Sequence, residues 1–118
     1  MNVAGDLASV LQLDRLIHEP ARLLIMSILA GAESAEFGFV ETLSGLSKGN
    51  LSSHLARLEA AGLVAIDKSF RGKRPLTTLR ATKAGRDALA AYRLRLAAVI
   101  ANIPTTPDPS TSSNKELP

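Results

Sequence analysis

Ser47-Lys48-Gly49-Asn50-Leu51-Ser52-Ser53-His54-Leu55-Ala56-Arg57-Leu58-Glu59-Ala60-Ala61-Gly62-Leu63 decides how the rest of the chain is read. Leu51, Leu55 and Leu58, followed by Ala61 or Gly62, recur at intervals of four and three. The stretch therefore predicts a helix with one buried stripe. Ser47 suits the N-cap, with Asn50 as a competing cap one turn later. Gly62 suits the position just past the C-terminus, where glycine ends a helix. Asn50, Ser53, His54 and Arg57 fall on the opposite side. All four side chains hydrogen bond, and Asn and Arg can pair bidentately with base edges. An ordinary surface helix also has a polar face, so the flanking sequence must decide between the two readings.

Downstream, the period changes. Leu63 to Phe70 alternates Val64, Ile66 and Lys68 with Ala65, Asp67 and Ser69, which predicts a strand. Arg71-Gly72-Lys73-Arg74-Pro75 is a charged turn, and Leu76 to Ala81 is the return strand. The hairpin tip thus holds three cations in four residues, which repel one another unless a polyanion neutralises them. Thr82 caps a long helix from Lys83 to about Ile103. In it Leu89, Tyr92, Leu96, Val99 and Ile103 are spaced three and four apart, as an a/d seam.

Upstream, Phe39 to Leu46 predicts a short helix with Phe39, Leu43 and Leu46 on one face, and Ala35 to Phe37 a short strand before it. Short helix, glycine-containing turn and longer helix with an exposed polar face make a helix-turn-helix. Pro20 suits the first turn of a core helix, Ala21 to Ala30, that ends at Gly31. Residues 6–17 predict an N-terminal helix carrying Leu7, Val10 and Leu11. Residues 104–118 are rich in Pro, Ser and Thr and predict a disordered tail, leaving residues 1–103 as one domain.

Composition narrows the function. The chain has 118 residues, 46% of them hydrophobic, enough for one modest core. It has no cysteine, which removes disulfides, thiolate metal sites and thiol redox chemistry. No apolar run reaches the length of a membrane span, and Met1 to Asp6 has no basic leader, so no membrane partner and a cytoplasmic location are expected. The net charge is only +3, yet it is unevenly spread. Residues 1–46 set two arginines against six carboxylates. Residues 47–86 set nine lysines and arginines against Glu59 and Asp67. The positive block begins where the proposed recognition helix begins, which is the electrostatic footprint of a nucleic-acid binder.

The order of elements, with "LSSHLARLEAAGLV" at 51–64, "RGKRPLTT" at 71–78 and "TKAG" at 82–85, resembles the winged helix-turn-helix regulators of the MarR and ArsR type. Leu16 to Leu23 (LIHEPARL) joins the resemblance, which spans about residues 10–95. It implies a mostly α, α+β fold: a winged helix-turn-helix with N- and C-terminal dimerisation helices. It also implies a homodimer that binds double-stranded DNA and regulates transcription, in the commoner case as a repressor. By position, Ser52, Ser53, His54 and Arg57 would face the major groove. Lys48 and Asn50 would meet phosphates near the helix start. Arg71, Lys73 and Arg74 would put the wing on the adjacent backbone or minor groove, with Thr77 and Thr78 adding hydroxyl contacts. Leu7, Val10, Leu11, Leu89, Tyr92, Leu96, Val99 and Ile103 would form the dimer interface, although packing within one chain is the alternative for that seam.

The sequence departs from ArsR-type metal sensors. With no cysteine, only His18 and His54 are available from the cysteine and histidine clusters such sensors use, and they lie in different helices, so no metal and no cofactor are expected. His18 reads as a core or interface residue bonded to Asp14 or Glu19. No Ser-His-Asp spacing or phosphate-cradling glycine loop is present, and Gly45, Gly49 and Gly62 read as turn and cap residues; the chain does not read as an enzyme. Nothing identifies a small-molecule effector, although a cleft between the helix-turn-helix and the dimer helices could hold one. The competing function is a winged-helix protein–protein module in a larger assembly. Such a module needs neither groove-facing readers nor a cationic wing.

Overall fold

Caps and turn residues set the boundaries of each element in the computed structural model, which describes residues 15–105. In order they are α1 (Pro20–Ala30), β1 (Ala35–Glu36), α2 (Phe37–Ser44), α3 (Lys48–Ala60), β2 (Val64–Arg71), β3 (Arg74–Ala81) and α4 (Lys83–Ala101). Pro20 occupies the first turn of α1, and the Glu19 carboxylate caps that helix by accepting the Arg22 N–H at 2.8 Å. Ser47 caps α3 through the Asn50 N–H, so it wins over Asn50 as the cap. Thr82 caps α4 through the Gly85 N–H at 3.0 Å.

The helix-turn-helix is α2, a turn and α3. Gly45 opens the turn with φ 73°, a left-handed conformation that suits glycine. At the other end of α3 the chain stops in a paired reversal. The Gly62 N–H reaches the Glu59 carbonyl and the Leu63 N–H the Leu58 carbonyl, while Leu58 and Leu63 are both buried.

The three-stranded antiparallel sheet has the order β1-β3-β2. Ala35 pairs with Leu79 and Glu36 with Thr78; on the other side Val64 pairs with Ala81 and Arg71 with Arg74. Only Gly72 and Lys73 remain between β2 and β3, and Gly72 takes φ 65°, as a tight two-residue hairpin with glycine first requires. Pro75 fits within β3 because β1 pairs only with Leu79 and Thr78, so no third strand needs the missing N–H.

Ile17, Ile25, Met26, Leu29, Val40, Leu51, Leu55, Leu58 and Leu79 are fully buried and draw on every layer of the domain. Leu89 and Tyr92 of α4 join the same core. Gly85 sits where α4 meets the end of α3. A Cβ there would lie 2.0 Å from the Leu63 carbonyl oxygen, a backbone atom that cannot swing aside.

Four expectations change. The first helix of the motif begins at Phe37, two residues before Phe39, and a different face of it meets the core. Val40 points inward, while Phe39 and Leu43 are 55% and 57% exposed. The hairpin strands extend through the charged turn, to Arg71 and from Arg74, because the reversal needs only two residues. α4 ends at Ala101, where Asn102 caps it by bonding back to the Ala98 carbonyl. Arg15 to Ile17 form a turn. The remainder of the N-terminal helix, with Leu7, Val10 and Leu11, lies outside the described residues, as does the tail from residue 106.

Two outcomes test this packing. Gly85→Ala should lower the unfolding free energy by about 1–3 kcal/mol, read as a lower urea midpoint with an unchanged slope. A wild-type midpoint would mean the Leu63 backbone gives way freely. The second concerns Glu19. Partial desolvation is the largest single effect and raises its pKa, but the Arg22 and Ala21 N–H groups, with the charges of Arg22 and of His54 when protonated, together outweigh it, so the carboxyl is held below its ordinary value. The folded pKa is thus depressed. The associated stability is present above the ordinary carboxylate range and is lost as pH falls through the folded value. Glu19→Gln should therefore flatten the acid limb of a stability–pH curve below about pH 5; an unchanged limb would contradict the cap.

Candidate nucleic-acid interface

α3 has four surfaces, set by its 3.6-residue repeat. Leu51, Leu55 and Leu58 face the core. Ser53 and Arg57, one turn apart, stand on the exposed side among Gly49, Ala56 and Ala60. Such small neighbours let another surface approach the helix backbone closely. Lys48, Ser52 and Glu59 form the flank toward the hairpin, and His54 lies on the flank toward α1.

The hairpin continues this surface. Cross-strand partners share a face, so Val64, Ile66, Lys68 and Phe70 line up with Ala81, Leu79, Thr77 and Pro75. The first two pairs are core. Lys68 and Thr77 carry the same face past the core edge. A groove of about 940 Å³ opens between them and α3, lined by Lys48, Ser52 and Glu59 on one wall and by Lys68 and Thr77 on the other. Beyond it, Phe70 is 72% exposed, one residue before the cationic tip.

Among the described residues, Lys48, Arg57, Lys68, Lys73 and Arg74 make no ion pair, so five cations surround the groove and tip without a carboxylate partner. Their fields add, and an elongated polyanion is the counter-charge that could meet all five. Asn50 and Ser52 are exposed on the first turns of α3, Ser52 on the hairpin flank and not beside Ser53 and Arg57.

Three expected contacts are placed otherwise. His54 is turned back from the exposed face. Its side chain is 22% exposed, with Nδ1 at 3.2 Å from Arg22 Nη1 and 3.9 Å from the Glu19 carboxylate. The residue before Leu55 faces α1, and a buried guanidinium there needs an acceptor. Arg71 bonds Glu36 of β1. That pair is exposed on both sides, so its net strength is small. Thr78 shares the other sheet face with its partners Glu36 and Asp67, away from Lys68 and Thr77. Asp67 is also 3.8 Å from Arg80.

His18 bonds the Tyr92 hydroxyl through Nδ1 at 2.5 Å, not Glu19, and Asp14 lies outside the described residues. Leu89, Tyr92 and Val99 are buried, Leu96 is half-buried, Ile100 is exposed near the end of α4, and Ile103 is exposed just past it. No helix among the described residues is long and apolar enough to cross a membrane.

Lys68 and Arg22 were not singled out from the sequence. Lys68 continues the alternation of Val64 and Ile66, and that register places it toward α3. Arg22 is a lone cation in an apolar helix, a pattern that calls for buried acceptors. It is the one charged residue buried among the described residues, 8% exposed.

Comparison with known proteins gives the same architecture. Residues 21–100 match the family described as winged helix DNA-binding domain. An uncharacterized protein of Methanocaldococcus jannaschii is 32% identical over 89 residues, covering 75% of this chain and 97% of that protein. A transcriptional regulator homologue from Pyrococcus horikoshii OT3 superposes with a TM-score of 0.77 at 31% identity, over 82% of this chain and 95% of that one. A MarR-family transcriptional regulator from Silicibacter pomeroyi shares the fold at a TM-score of 0.59 and 19% identity, over 96% of this chain and 77% of that one.

Proposed function

This chain belongs to the winged helix DNA-binding domain family of transcriptional regulators, and on that premise we propose that it binds double-stranded DNA sequence-specifically as a homodimer. α3 enters the major groove with Ser53 and Arg57 toward base edges. The phosphate backbone of the adjoining strand runs through the groove between α3 and the hairpin, where Lys48 and Lys68 face it and Ser52 and Thr77 offer hydroxyls. Lys73 and Arg74 extend the contact to the flanking backbone or minor groove. Arg71 joins them by exchanging the weak Glu36 pair for a phosphate. The observation that carries this reading is the unpaired cationic rim around one groove, formed jointly by α3 and the hairpin. A protein–protein module has no need of that rim. By its resemblance to regulators of this type, the regulation proposed is repression.

The second subunit packs on the part of α4 that the chain's own core leaves uncovered. Leu89 and Tyr92 belong to the core, so Leu96, Ile100 and Ile103, with the N-terminal Leu7, Val10 and Leu11, form the interface. Two-fold pairing then presents two α3 helices to two half-sites.

Two measurements check the division of labour. Arg57→Ala should relax sequence preference, costing roughly 1–3 kcal/mol on the preferred duplex if Arg57 makes one good base contact. Lys68→Ala and Lys73→Ala should instead weaken all duplexes alike and reduce the slope of log affinity against log salt by about 0.9 each. Indistinguishable effects would refute the assignment of reader and clamp. For the dimer, Ile100→Glu should shift sedimentation toward monomer and weaken operator binding; an unchanged sedimentation profile would place the interface elsewhere.

A further inference from the structure

Burying a guanidinium is costly unless its donors find acceptors. Arg22 has three kinds. Its Nε donates to the Leu16 carbonyl at 2.6 Å and Nη2 to the Arg15 carbonyl at 3.3 Å. Its Nη1 lies 3.2 Å from His54 Nδ1, with the Glu19 carboxylate at 3.9 Å. Arg15, Leu16 and Glu19 belong to the segment that leads into α1, and His54 belongs to the recognition helix.

The His54 contact defines the state of the ring. A guanidinium donates and never accepts, and it stays charged. Nδ1 therefore faces it as a bare, accepting nitrogen, with the proton on Nε2. A protonated Nδ1 would set two donors against each other at 3.2 Å, while its gain from Glu19 would come across the longer 3.9 Å gap. The shorter contact selects the neutral imidazole.

We propose that Arg22 is the positioning residue of the recognition helix: its buried guanidinium grips the bare Nδ1 of a neutral His54 and ties α3 to the Arg15 and Leu16 carbonyls. This rests on α3 being the DNA-reading helix. His54 is thus a handle and not a base reader. Ser53 and Arg57 flank it in sequence on the exposed side, so the angle at which they meet a groove follows from where His54 is held. The tie also reaches α4, because His18 in the same leading segment bonds Tyr92. A displacement of that segment moves the acceptors of Arg22 and, through them, the seat of α3.

The test uses the full chain, a duplex recovered from a random pool and a scrambled duplex of the same composition. His54→Leu removes the acceptor and His54→Gln restores one in an amide oxygen. His54→Leu should weaken the selected duplex by about tenfold, a reseating penalty within what a hydrogen bond to a charged group can hold off, with little change on the scrambled duplex. His54→Gln should recover most of the difference. In the DNA-free wild type, ¹⁵N imidazole signals should show His54 neutral with Nδ1 unprotonated, and the Ser53 and Arg57 amide shifts should move in His54→Leu and return in His54→Gln. Wild-type binding by His54→Leu, or a protonated Nδ1, overturns the proposal. So does a folded His54→Gln as impaired as His54→Leu, since the imidazole would then be reading bases itself. If the wild type binds neither duplex, the DNA-binding function has failed, and the imidazole and amide signals still decide whether Arg22 seats α3.

Discussion

The carbonyl of Leu63 is the point on which the architecture turns. It accepts the Thr82 N–H at 3.1 Å and lies against the Cα of Gly85 so closely that no side chain fits between. The Thr82 hydroxyl donates to the adjacent Gly62 carbonyl at 2.6 Å. One junction thus ends α3, begins β2, and receives both the end of β3 and the start of α4. Because these backbone groups are satisfied by one another, the helix and hairpin leave the junction at a fixed mutual angle. The groove between them is therefore built into the backbone and does not depend on long side chains settling into place.

A second set of polar contacts governs the other end. Arg86 donates to the Ala30 and Ala32 carbonyls at 2.9 Å each, joining α4 to the end of α1. Arg22 and His18 hold the segment before α1 against α3 and α4. The core supplies most of the stability through apolar burial, which has little directional preference. These hydrogen bonds supply the direction. Together they leave the exposed side of α3 and the inner face of the hairpin on a common surface, where Lys48, Arg57, Lys68, Lys73 and Arg74 stand without a carboxylate partner.

Much of this was legible in the sequence because local rules and tertiary packing agree. The leucine repeat, the Ser47 and Thr82 caps, Gly62 and the strand alternation each identify an element for a reason that survives in the fold. The motif's first helix was harder. Phe39-Leu43-Leu46 and Phe37-Val40 are both acceptable helical faces, and only packing against the core chooses Val40 with Phe37. At the site, residues set by a single helix or turn, such as Ser53, Arg57 and Lys73, fall on the exposed surface the repeat assigns to them. Residues whose direction depends on a distant partner do not: His54 answers to Arg22, and Arg71 and Thr78 answer to β1. Lys68 shows the converse, since its role depends on which face of the sheet α3 covers.

The central claim is that α3 and the hairpin act as one DNA-binding surface. It is tested most directly by amide chemical-shift mapping while the ¹⁵N-labelled chain is titrated with a duplex selected from a random pool. The account predicts that Lys48, Ser53, Arg57, Lys68 and Lys73 shift together along one binding curve, whereas the inward face of α1 stays in place. Perturbation of only one of the two elements, or of a surface remote from both, would contradict it.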